Sequence, residues 1–177
     1  MSNNLSLKIN GTSHGQVNEV SREQAMKAFD HVLRAIALSD SPVLVEGGDR
    51  DVRAQIAERL HNLGRRSEQP LRMCSTAREG KKLLKNLFEE ASWDKTLGTW
   101  VLRGLTGWPL DRQKELSGLL DRLDQERFSV GAKHEKVPRV IVLLGEKENK
   151  EGLTPQLQRR LSFFNISLSE SNQQVLR

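Results

Sequence analysis

Apolar residues recur along the chain in two alternating rhythms. From Ser21, which forms a capping-box pattern with Gln24, Ala25, Met26, Phe29, Val32, Leu33 and Ile36 fall at helical spacing, and this helix is predicted to end near Leu38. Ser39-Asp40-Ser41-Pro42 is turn chemistry, and Val43-Leu44-Val45 behind it is the short apolar run of a strand covered on both faces. After a loop over Glu46 to Arg50, Val52, Ile56, Leu60 and Leu63 form a second helical stripe, predicted to stop at a C-capping Gly64. The alternation continues. Leu71 to Cys74 reads as a strand, and Leu83, Leu84, Leu87, Phe88 and Ala91 as a helix ending before Trp93. Thr99 to Leu102 is a third strand, and Leu110, Leu116, Leu119, Leu120 and Leu123 line a long helix up to Arg127. Val140 to Leu144 is the strongest strand signal. Leu153, Leu157 and Leu161 mark a short helix, and Phe163 to Leu168 a fifth strand. Five strands separated by helices imply an α/β fold of three layers with a mostly parallel sheet, whose sites form at the C-terminal ends of the strands. The loops after Val45, Leu102 and Leu144 are therefore the places to look for chemistry.

Residues 1–20, rich in Asn, Ser and Gly, read as a loose leader with a short strand at Leu5 to Ile9, residues 21–170 as one core, and 171–177 as a tail. Composition adds limits. With 177 residues, 36% hydrophobic and 29% charged, the chain suits one folded domain. No stretch is long and apolar enough to span a bilayer, and the first residues are too polar for a secretory signal, so a cytoplasmic location and no membrane partner are expected. The single cysteine, Cys74, excludes an internal disulfide framework and reads as core. His14, His31, His61 and His134 have no ligand spacing, so no metal is expected.

Charge is concentrated. Ten basic residues lie between Arg50 and Lys85 against four acids, and this excess of six is larger than the net +5 of the whole chain. Two readings stand: solvated helix faces, or a site for DNA or RNA with Arg65, Arg66, Lys81, Lys82 and Lys85 as candidates. Of the tryptophans, Trp100 sits in an apolar strand and reads as core, whereas Trp108 beside Pro109 reads as a loop residue and candidate interface anchor.

The segment SDSPVLVEGGDRDVRAQIAERLH, Ser39 to His61, has the frame of a strand, phosphate-binding loop and helix. It resembles the start of the AAA+ domain of sigma-54-dependent enhancer-binding activators, where a comparable strand runs into GESGTGKE. Gly47 takes the first glycine of that loop, but Val52 takes the second, Arg53 the lysine and Ala54 the residue after it. LGTWVLRGLTGWPL is similar to the family's GGTLFLDEIGDLP, with Arg103 and Gly104 at the acidic pair. PRVIVLLGEKEN is similar to RVIAATN, with Gly145 at the sensor asparagine. LTPQLQRRLSFFNISL is similar to FREDLYHRLNVFPIEL, with Arg160 on the second interface arginine and Thr154 on the first. No GAFTGA loop lies between Cys74 and Gly98, and no segment after the fifth strand corresponds to a lid or a helix-turn-helix.

The resemblance implies an AAA+-like, P-loop NTPase-like core whose catalytic positions are all changed. Phosphoryl transfer depends on a phosphate cradle, a metal and an oriented water, so the expectation is a pseudo-ATPase with no cofactor and no catalytic residue. The expected role is a regulatory or interaction protein in bacterial transcription. Its expected partner is an AAA+ activator or another transcription component, met through Arg160 and Trp108. Arg160 also reads as a helix C-terminal arginine favoured by the macrodipole. The alternatives are a nucleic-acid-binding protein and a non-hydrolysing nucleotide-binding switch in which Arg50 and Arg53 hold an anion.

Overall fold

A computed structural model describes residues 19–88, 97–128, 137–145, 148 and 150–168. The elements are α1 (Glu19–Ser39), β1 (Val43–Gly47), α2 (Arg50–Asn62), β2 (Leu71–Cys74), α3 (Ala77–Phe88), β3 (Thr99–Arg103), α4 (Leu110–Phe128), β4 (Arg139–Leu144), α5 (Pro155–Leu161) and β5 (Asn165–Leu168). Short 3-10 turns lie at Leu105–Gly107 and Lys150–Gly152. The expected strand at Leu5 to Ile9, the tail, Ala91 and Trp93 lie outside the described residues.

All five strands are parallel, in the order β2-β3-β4-β1-β5. The inner strands β1, β3 and β4 bury two faces because their alternate apolar residues feed two separate cores. Leu44, Leu102, Val142 and Leu144 point to one side, where they meet Leu83, Leu84, Leu116, Leu120 and Leu157. Val43, Val45, Val101, Ile141 and Leu143 point to the other and meet Phe29, Leu33, Ile56 and Leu60. The helices α3, α4 and α5 thus cover one face and α1 and α2 the other, giving the three layers expected. Strand order reverses between β1 and β4, so the loops leaving those two strands open a crevice at their C-terminal ends.

Several local expectations are corrected. The first helix already runs from Glu19, so Ser21 lies inside it rather than capping it. Leu110 is exposed and contributes nothing to the core. Gly64 does not take the left-handed capping conformation, and Leu63 with helical dihedrals ends α2. Gly64 is instead a matter of space: a Cβ there would lie 3.1 Å from the Leu60 carbonyl, 3.3 Å from that of Ala37 and 3.4 Å from Arg139.

That crowding marks a buried polar cluster at the opposite end of the sheet from the crevice. Arg139, the first residue of β4, donates to the carbonyls of Ile36 (2.8 Å), Ala37 (3.0 Å) and Leu60 (3.4 Å). One guanidinium therefore satisfies the C-terminal ends of α1 and α2, where helix carbonyls lack partners and the helix dipole favours a cation. Burial pushes Arg139 down to about 10, which still leaves it charged at neutral pH. Arg66 pairs with Asp40 and donates to the Val137 carbonyl at 2.7 Å, while Arg127 pairs with Asp124 and donates to the Pro138 carbonyl at 2.8 Å.

Candidate functional site

The crevice between β1 and β4 is built from the loop after each. Gly47, at the end of β1, has φ +75°, and a Cβ on it would stand 2.6 Å from the Leu168 carbonyl of β5. Only glycine fits there, on both counts. Gly48 is likewise left-handed, and Asp49 in extended geometry starts α2. The expected loop frame is thus present up to this point.

Beyond it a side chain engages the loop carbonyls. Arg53, one turn into α2, folds its guanidinium back into the loop. Its Nη1 donates to the Gly47 carbonyl at 2.9 Å and also to that of Gly48. Its Nη2 approaches the start of the neighbouring loop, 3.4 Å from where a Cβ on Gly145 would stand. The Gly145 N–H is itself taken by the Glu148 carboxylate at 2.6 Å, and the Thr106 hydroxyl donates to the same carboxylate at 3.2 Å. The loop carbonyls accept from an internal cation and the opposing amide donates to an internal anion. The crevice is therefore bridged from within by the chain's own charges.

Arg103 ends β3 beside this point and is half-buried, with an Nε that lacks a hydrogen-bond partner. Burial lowers its pKa, and the fields of Arg50 and Arg53 lower it further, with Asp51 opposing them. Gly104 follows at φ +66° and opens the 3-10 turn. A magnesium ion does not suit these residues: a guanidinium stands where the resemblance places a carboxylate, and two more cations act on it. Among the described residues no group of three or more His, Cys, Asp or Glu side chains is placed to hold a metal. Val52 is buried in the core on the α2 side, and Ala54 is half-buried within α2.

Two candidate sets change when placed in the fold. Trp108 is only 4% exposed, a core residue rather than a surface anchor. Its six-membered ring lies against Gly80 of α3, filling the volume where any larger residue would place its Cβ. Arg66, 2% exposed, is committed to Asp40 and Val137 and is removed from the nucleic-acid candidates. Arg65, Lys81, Lys82 and Lys85 remain exposed, the three lysines together on α3. Arg160, near the end of α5, is ion-paired to Asp121 (3.0 Å) and Asp124 (2.6 Å) of α4, so its charge is held by the chain itself.

Some residues that shape the crevice escaped the sequence reading. Gln113 is buried and donates from its amide nitrogen to the carbonyls of Leu105 (3.2 Å), Trp108 (3.1 Å) and Gly152 (3.0 Å). Its oxygen accepts from the Thr154 N–H at 2.8 Å. It ties the loop after β3 to the start of α5, which is why Thr154, at the other arginine position, is buried as a helix N-cap. A second missed feature carried a legible signal. Thr76-Ala77-Arg78-Glu79 is a capping box: Thr76 accepts the Glu79 N–H, and the Glu79 carboxylate accepts those of Ser75 and Thr76, holding its pKa below the ordinary value.

No family model matches the chain, and no curated protein matches it. Solved structures do. The P-loop NTPase domain of a sigma-54 transport activator from E. coli superposes over 82% of this chain and 94% of that domain, at 18% identity and a TM-score of 0.56. NtrX from Brucella abortus in complex with ATP matches 89% of the chain at 20% identity and a TM-score of 0.57, and a further NtrX structure matches 85% at 19% and 0.59. The chain spans about two fifths of NtrX, covering 38% and 40% of the two structures. At these identities the likeness is one of fold, and the chain has the fold of these P-loop NTPase domains.

Proposed function

We propose that this chain is a non-hydrolysing relative of the AAA+ domains of sigma-54 activators. In this reading it serves bacterial transcription by binding a protein partner, such as an intact enhancer-binding activator. The observation that carries the reading is Arg53, whose guanidinium lies on the carbonyls of Gly47 and Gly48 where a catalytic loop would wrap phosphate. Arg103 and Gly104 at the acidic positions support it, because neither ligates magnesium or polarises water. A fold frame kept without its chemistry is what remains when packing and an interface are useful. The test is calorimetric titration of the purified chain into an intact activator of this class, with the activator's ATPase rate as second readout. Saturable binding that changes the rate is expected. No heat of binding and an unchanged rate refute the partner.

A further inference from the structure

The sheet has a free edge far from the crevice. Among the described residues β2 is the terminal strand, paired with β3 alone. The Thr99 N–H bonds to the Pro70 carbonyl at 3.1 Å, and this bond fixes the phase of the ladder. In a parallel pair with Leu71 opposite Thr99, Arg72 and Cys74 turn their backbone groups toward β3, whereas Leu71 and Met73 turn theirs outward. Two N–H and two C=O groups thus stand along the edge with no strand among the described residues to meet them.

Beside that edge, between β2 and α3, runs an open groove of about 310 Å³ whose lining includes Arg72, Met73, Lys82, Asn86 and Trp100. Met73 is 40% exposed at its rim. Arg72 lies over the Trp100 ring at 5.3 Å and donates to the Leu97 carbonyl, but neither it nor Lys82 meets a carboxylate among the described residues. The one acid among the described residues that line the groove, Glu79, is already committed to the backbone of the α3 cap. α3 as a whole carries four basic residues against that one acid.

We propose that the free edge of β2 and the groove beside it bind an extended acidic peptide as an added strand, its carboxylates reaching Arg72 and Lys82. Unpaired edge groups supply the main-chain hydrogen bonds, and the cations select the side chains. A peptide fits better than single-stranded nucleic acid. The stacking face of Trp100 is occupied by Arg72, and the outward N–H and C=O pairs match a second backbone, not a sugar-phosphate chain. The proposal stands whether or not the crevice holds a nucleotide.

The experiment is fluorescence anisotropy with a labelled Thr-Val-Glu-Val-Glu-Val-Thr peptide and its twin carrying lysine for glutamate, against the full chain. Saturable binding of the acidic peptide is expected, with the lysine twin at least about tenfold weaker and the difference shrinking in salt. Met73→Pro removes one outward N–H without touching the ladder to β3, an edge position where proline is tolerated, and is expected to weaken binding about fivefold. Lys82→Glu, a surface change that leaves the strand alone, is expected to weaken it similarly. The proposal is overturned by no saturation up to about 1 mM peptide. It also fails if the twins bind equally, if both folded variants bind as tightly as the parent, or if oligo-dT displaces the acidic peptide in preference to unlabelled peptide.

Discussion

Replacing Arg139 by methionine tests whether a buried cation joins the helix ends to the sheet. The substitution keeps the length of the aliphatic stem and removes three charge-assisted hydrogen bonds, to Ile36, Ala37 and Leu60. The Ser39 hydroxyl still donates to the Ile36 carbonyl at 2.8 Å, so the main losses are at Ala37 and Leu60. Hydrogen bonds to a charged group contribute about 1.5–3 kcal/mol each. These are net figures, in which the desolvation of the bonded groups is already included. The 3.4 Å bond to Leu60 is the weaker of the two lost. The balance is a loss of about 3 kcal/mol, or a melting temperature lower by about 6–12 °C in a domain of this size. Urea unfolding followed by circular dichroism measures it, with exposed Arg65→Met as the control expected to stay within about 0.5 kcal/mol of the parent. An Arg139→Met protein as stable as the parent, or more so, refutes the reasoning and makes Arg139 a net cost of the fold.

Three further outcomes follow from the packing and the titrating groups. Gly80→Val drives a side chain into the Trp108 ring and is expected to destabilise by about 1–3 kcal/mol with a changed tryptophan emission; an unshifted melt with parental emission contradicts the buried placement of Trp108. His61 is buried against the Thr99 hydroxyl at 2.9 Å, and its pKa is lowered chiefly by burial, with Arg139 adding to the effect, so the folded state binds its proton less readily than the unfolded chain. Its contribution to stability is whole above 6.5 and is lost as pH falls from there through the lower folded value, so His61→Gln should flatten the fall in urea midpoint between pH 7.5 and pH 5.5, about the range in which an imidazole titrates, and an unflattened profile contradicts this. Burial pushes the Cys74 thiol up to about 11 from 9.0, so at neutral pH it holds about 100-fold less thiolate than an ordinary cysteine and should react with a disulfide reagent only after unfolding.

The strands and helices were legible because each is a short apolar run or stripe whose burial the pattern demands. Val43-Leu44-Val45 and Val140 to Leu144 have no polar face, and a strand with no polar face belongs in the middle of a sheet. Strand order was not legible, since pairing is a long-range matter that no local pattern carries. Trp108 was misplaced because Gly107 and Pro109 beside it signal a loop. The loop turns inward, its Trp108 carbonyl held by Gln113 of the following helix and its ring received by Gly80 of α3, a partner that no local pattern around Trp108 announces. Arg66 looked like half of a surface Arg65-Arg66 pair, and its burial depends on Asp40, 26 residues earlier. Arg139 did carry a signal: a charged residue opening the most apolar strand has to find acceptors inside the protein. Which residues stand at the loop positions is a matter of sequence. That Arg53 turns back onto the loop carbonyls is a property of geometry.

Steady-state phosphate release from ATP with magnesium bears most directly on that geometry. With Arg53 on the loop carbonyls and Arg103 and Gly104 in place of the acidic pair, the chain and its Arg53→Ala variant are both expected to release phosphate no faster than buffer. Release by the parent chain above buffer and above the Arg53→Ala variant would contradict the non-hydrolysing reading, because it would make Arg53 part of a working site.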